Sequence, residues 1–186
     1  MRRSVARITL AYVALGFAVV CPALEGQQNT KVVASAQRKP APALQLMDAS
    51  GKSFQVSDYL GKVVLLNFWA TECGGCMREI PVLIGLQTAY KDQGFTVVGL
   101  SADILYSNLK SPEAGWSQVN PFVASHHMNY PILMADDAVL LAYSAKTIPA
   151  TFLVDKSGRI AATYAGVVNR DDVEANVKTL LAEQPQ

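Results

Sequence analysis

Residues 62–76 read KVVLLNFWATECGGC, and the architecture can be built outward from them. Lys62 to Ala70 is a nearly continuous apolar run, rich in β-branched and aromatic side chains, which is the pattern of a strand buried on both faces. It passes through Thr71 and Glu72 into Cys73-Gly74-Gly75-Cys76. Beyond that, Met77, Ile80, Leu83 or Ile84, and Leu86 or Gln87 recur at approximately helical spacing. Asp92-Gln93-Gly94 ends the helix, and Phe95 to Leu100 (FTVVGL) is a second buried strand. Strand, helix, strand at this spacing is a βαβ unit with parallel strands. The two cysteines therefore lie where a buried strand turns into a helix.

That placement carries chemistry. Two cysteines three apart at a helix N-terminus can close a small disulfide ring. The first meets unpaired backbone N–H groups and the positive end of the helix dipole. Both stabilise a thiolate, and cysteine pKa values in such motifs fall from ~8.5 toward roughly 3.5–7.5. Only the thiolate attacks a disulfide; the second, deeper cysteine resolves the mixed disulfide. Two other readings stay open on these residues alone. A zinc half-site needs a second pair of ligands, and the candidates, His126 and His127, are adjacent rather than spaced. A purely structural disulfide closes too short a loop to stabilise much.

Outward from this unit, Leu44, Leu46, Phe54 and Val56 alternate about a turn at Asp48–Gly51, a short hairpin, and residues 57–61 are a short turn of helix or loop. Residues 101–115 are looser, and Trp116–Met128 has helical composition with Pro121 unfavourable inside it. Tyr130–Met134 is extended, and Asp136 or Asp137 caps a helix over 138–145. Thr147–Ala150 turns into a strand at Thr151–Val154. Asp155–Gly158 is a hairpin turn into Arg159–Ala165. Asp171-Asp172 opens a final helix with Val173, Val177, Leu180 and Leu181 on one face.

The composition of the 186 residues bounds the function class: 51% are hydrophobic, 17% charged, the net charge is +1, and there are three cysteines. These values exclude a disordered chain and a disulfide-dense module, and near-neutrality gives no support for a nucleic-acid partner. Residues 1–7 hold Arg2, Arg3 and Arg7 and no acid. Residues 8–20 are an uncharged apolar run, followed by Cys21-Pro22-Ala23. This is the organisation of a secretory signal cut after Ala23. An uncleaved membrane anchor and a lipidated Cys21 remain alternatives. Cleavage leaves 13 basic and 15 acidic residues, a net charge of −2, and only Cys73 and Cys76 as cysteines. The division is thus 1–23 signal peptide or anchor, 24–41 linker, and 42–184 a single domain.

Asn67 to Pro81 (NFWATECGGCMREIP) resembles the active-site segment of extracytoplasmic thioredoxin-like proteins of the TlpA/ResA type. Gly51-Lys52 and Leu60-Gly61-Lys62 resemble that family's N-terminal hairpin and its entry to the first buried strand. Thr147 to Asp155 (TIPATFLVD), with Gly158, is similar to the segment around the thioredoxin cis-proline. The resemblance spans about 42–184. It implies an α/β thioredoxin-like fold: a central mixed β-sheet flanked by helices, with an N-terminal β-hairpin and an insertion over 101–130. It also implies that Pro149 is cis and packs beside Cys73 and Cys76, with the Ile148 backbone presented to an extended substrate. The activity implied is thiol–disulfide oxidoreduction without a cofactor or metal. The partners are a disulfide-containing protein substrate, such as an apocytochrome c, and a membrane-bound thiol–disulfide electron donor.

The sequence departs from the family at the site. Glu72 stands where a tryptophan usually precedes the first cysteine, and a carboxylate there disfavours the Cys73 thiolate or relays a proton to Cys76. Gly74-Gly75 replaces a proline-containing dipeptide and loosens the turn. Asn67 takes the place of thioredoxin's buried acid. Two other functions compete. A thiol peroxidase of the peroxiredoxin type shares the fold, but Ala70 and Leu66 occupy the positions of its threonine and proline. A copper-binding chaperone would use Cys73 and Cys76 as soft ligands, with His126 or His127 approaching.

Overall fold

The computed structural model describes residues 30–184. Its elements follow in the order β1 (Lys39–Pro40), β2 (Gln45–Met47), β3 (Ser53–Gln55), β4 (Val63–Trp69), α1 (Gly74–Tyr90), β5 (Phe95–Ser101), α2 (Asp103–Tyr106), α3 (Pro112–Ser125), β6 (Ile132–Met134), α4 (Asp137–Ala142), β7 (Ala150–Val154), β8 (Arg159–Ala165) and α5 (Arg170–Ala182). Six strands form one mixed sheet in the order β1-β8-β7-β4-β5-β6, and β2 and β3 make the separate hairpin. β4 runs parallel to β5 and antiparallel to β7, with Asn67 opposite both Gly99 and Thr151.

The apolar run of β4 has a simple cause. Val63, Leu65 and Trp69 pack into one layer with α1, α3 and α5. Val64, Leu66 and Phe68 pack into the opposite layer with the hairpin and α4. A central strand covered on both faces has no solvent side to keep polar. Asn67 is the one polar residue in β4, and its parity puts it on the α1 side. The mixed sheet, flanking helices, hairpin and insertion are those the resemblance implies.

Three expectations need correction. The linker expected over 24–41 is, from Thr30 on, part of the domain. The Val33 N–H donates to Ala161 O at 2.8 Å, and β1 pairs with β8. The buried Arg38 side chain donates to Asp155 Oδ2 at 3.1 Å and to both Glu183 oxygens at 2.6 and 2.7 Å. The loose stretch 101–115 holds α2 and the start of α3. The Ser111 hydroxyl caps α3 by accepting the Ala114 N–H, and Pro112 opens it, where its missing N–H costs nothing. The last helix is opened by Asn169, whose side chain accepts the Asp172 N–H at 3.1 Å. No described helix is long and apolar enough to cross a membrane. The leader 1–23 and Cys21 lie outside the described residues.

Candidate active site

β4 delivers the chain to the edge of the sheet, and α1 begins immediately beyond it. Cys73 caps α1, its Sγ accepting the Cys76 N–H at 3.2 Å. In the reduced pair the same N–H is placed to stabilise a Cys73 thiolate. Cys73 and Cys76 are joined as a disulfide with Cα atoms 5.3 Å apart. Cys76 is wholly buried and Cys73 is 4% exposed, so Cys73 is the residue nearer solvent.

The Ile148–Pro149 peptide is cis, and the proline ring lies against Gly75. A β-carbon on Gly75 would stand 3.1 Å from Pro149 Cδ, whereas Gly74 has open space around it. The second glycine thus allows close approach of the proline, and only the first is free simply to loosen the turn. Ile148 packs against both core layers, and its main chain precedes the β7 pairing, which starts at Ala150. Cys73, Cys76, Ile148 and Pro149 therefore converge. Glu72 is exposed and enters none of the ion pairs among the described residues.

One residue at the site escapes the sequence reading. Glu79 is fully buried, one helical turn beyond Cys76 on the same face of α1. Its carboxylate accepts from Asn67 Nδ2 at 2.6 Å and from the Val168 N–H at 3.3 Å. Asn67 Nδ2 also donates to Thr151 Oγ1 at 3.0 Å. Burial pushes the Glu79 carboxyl up to about 7, against the opposing pull of the Asn67 and Val168 hydrogen bonds. The signal for it is the helical stripe, which is buried at Cys76, Glu79, Ile80, Leu83, Leu86, Gln87 and Tyr90. Starting the stripe at Met77, which is 39% exposed, hides the acid inside it.

His126 ends α3 on the surface, its ring stacked on Phe122 at 3.9 Å and its Nδ1 shared between Ser125 Oγ and Phe122 O. Among the described residues no three His, Cys, Asp or Glu side chains are grouped to hold a metal ion.

The family model described as AhpC/TSA matches residues 38–163. The chain belongs to the AhpC/TSA family. Within it, the chain is 34% identical over 152 residues to the thiol-disulfide oxidoreductase ResA of Geobacillus kaustophilus, covering 81% of this chain and 82% of that one. It is 30% identical over 156 residues to the ResA of Bacillus subtilis, covering 83% and 79%. Among solved structures, a thiol:disulfide interchange protein of the thioredoxin family from Chlorobium tepidum superposes with a TM-score of 0.67 at 27% identity, over 80% of this chain and all of that one. This AhpC/TSA-family chain is a thiol–disulfide oxidoreductase of thioredoxin-like fold, and the ResA-type resemblance read from residues 67–81 and 147–155 is correct.

Proposed function

We propose that the protein reduces disulfides in protein substrates outside the cytoplasm, apocytochrome c cysteines among them, and is re-reduced by a membrane-bound thiol–disulfide donor. The observation that carries this reading is the pairing of a capping Cys73 with a buried Cys76, one turn from an acid whose pKa lies near neutrality.

Reduced Cys73, as thiolate, attacks one sulfur of the substrate disulfide. A Cys73–substrate bond forms, and the other substrate sulfur leaves as a thiolate that takes a proton from solvent. Cys76 then gives its proton to the Glu79 carboxylate and attacks Cys73 Sγ. This closes the Cys73–Cys76 disulfide and releases the second substrate thiol. Ile148 and Pro149 hold the substrate chain in extended form beside the pair, and Glu72 is a solvated charge at its rim. The leader 1–23, with its basic start and apolar core, supports export or a membrane tether.

Insulin reduction and a redox titration test the reading. The expected results are a reduction potential below about −200 mV, no turnover in Cys73→Ser, and a trapped mixed disulfide in Cys76→Ser. Rapid peroxide consumption, or tight Cu(I) binding, without disulfide reduction overturns it.

A further inference from the structure

A second buried carboxylate lies behind the active-site turn, and no step of the chemistry above uses it. β5 ends at Ser101, and two residues on Asp103 begins α2 with its side chain fully buried. Asp103 Oδ1 accepts the Thr71 main-chain N–H at 3.0 Å, the Thr71 hydroxyl at 2.5 Å and Gln118 Nε2 at 3.3 Å. Oδ2 accepts the Ser101 hydroxyl at 2.7 Å. Gln118, on α3, also donates to Thr71 Oγ1 at 2.5 Å. Thr71 belongs to the turn that carries Cys73. That turn is closed by the Cys73 N–H donating to Ala70 O at 3.2 Å and tied to the next strand's exit by the Ala102 N–H donating to Trp69 O at 2.8 Å.

A carboxylate buried this completely is expensive unless its lone pairs are occupied, and here four donors occupy them. Three of those donors come from Thr71 or from the residue that also holds Thr71. An apolar side chain would fill the β5–α2 corner without such a requirement. What the carboxylate adds is a fixed direction for the Thr71 peptide and hydroxyl, and hence for the turn into Cys73.

We propose that Asp103 is a positioning residue for Cys73: acting through Thr71, it keeps the Cys73 sulfur on the Cys76 N–H, and Gln118 makes that alignment depend on the seating of insertion helix α3. The inference rests on Cys73 being the attacking thiol. Displacement of the turn takes the sulfur off its donor, and the thiolate loses the contact that stabilises it.

The test uses the reduced full-length protein and four variants: Asp103→Ala, Thr71→Val, Thr71→Ser and Gln118→Leu. Each is checked for folding by circular dichroism. Iodoacetamide alkylation of Cys73 is followed against pH, and the pair is equilibrated with glutathione buffers. Thr71→Val leaves Glu72, Cys76, Glu79 and Asp103 in place, so a moved midpoint there reports positioning rather than charge. The expected result is an alkylation midpoint raised by about one pH unit in Asp103→Ala and Thr71→Val. That is a thiolate-to-thiol ratio reduced about tenfold at any one pH, the size of one charge-assisted hydrogen bond. At a pH above both midpoints, the glutathione equilibrium should shift about tenfold toward the disulfide. Gln118→Leu should move both readings the same way by less, and Thr71→Ser should stay within about twofold of wild type. A midpoint in Thr71→Val that is unmoved or lowered overturns the proposal, as does Thr71→Ser behaving like Thr71→Val. If Asp103→Ala does not fold, Thr71→Val decides alone. Failure of the oxidoreductase reading is distinct, because the wild type itself would then reduce no insulin.

Discussion

The two ends of the sheet bury acids in opposite ways. At the far end, buried Arg38 pairs with buried Asp155 and part-exposed Glu183, and the guanidinium pKa is held up mainly by its hydrogen bond to Glu183. The Lys156 ammonium completes the clasp by donating to the Leu181 and Glu183 carbonyls, each at 2.7 Å. At the catalytic end, Glu79 is buried more deeply than either of those acids, but its partners are an amide and a backbone N–H, with no cation. A paired buried charge stays charged and fixes the chain path. An unpaired one is pushed toward the pH at which it can exchange a proton, the condition a general base requires. An acid is thus held by a cation in one place and left near its titration point in the other, according to what is buried with it.

The comparison can be broken most sharply at Arg38. Arg38→Met strands Asp155 and frees Glu183, and should cost about 3 kcal/mol in urea unfolding, the low end for breaking a buried pair, while leaving the pair's potential unchanged. A stability loss within error would show that the clasp holds nothing. Next in size is Glu79. Its carboxyl is raised from the ordinary 4.5 to about 7, so the neutral form is favoured in the fold. The stability it contributes is complete below pH 4.5 and is lost as pH rises through about 7. Unfolding free energies measured across that window should fall by an amount on the order of 3 kcal/mol at most, and Glu79→Gln should flatten the profile. The same substitution should slow resolution of a trapped mixed disulfide by about a hundredfold, the usual size of a general-base contribution, measured by stopped-flow above pH 7. A resolution rate unchanged in Glu79→Gln would remove the acid from the mechanism. The smallest effect belongs to the surface pair in α5, where Lys178 Nζ meets Glu174 Oε1 at 2.9 Å in the open. Lys178→Ala should leave stability unchanged within error in the same denaturation assay.

What was legible follows from the range of the interactions involved. β4, α1 and β5 could be read because each is declared by its own residues: a run apolar on both faces, a helical stripe, a left-handed Gly94 at the stop. Cys73, Cys76 and Pro149 were legible because their spacing and neighbours form local motifs. Arg38 was not, because its partners lie 117 and 145 residues away, and a stretch without period reads as linker when nothing nearby claims it. Glu79 was hidden for a related reason. A glutamate near a helix start is ordinarily solvent-facing, and only the phase of the buried stripe turns it inward.

The βαβ unit, the cysteine pair at its turn and the class of chemistry follow from local pattern alone, since hydrophobic period and thiol placement act over a few residues. Which charges are paired and which are left to titrate depends on the packing of distant segments. The tertiary structure brought the Pro149 ring to Gly75, Asn67 to Glu79, and the chain before β1 onto β8. Burial and electrostatic environment are properties of what surrounds a residue in space, and only packing distant segments together creates them.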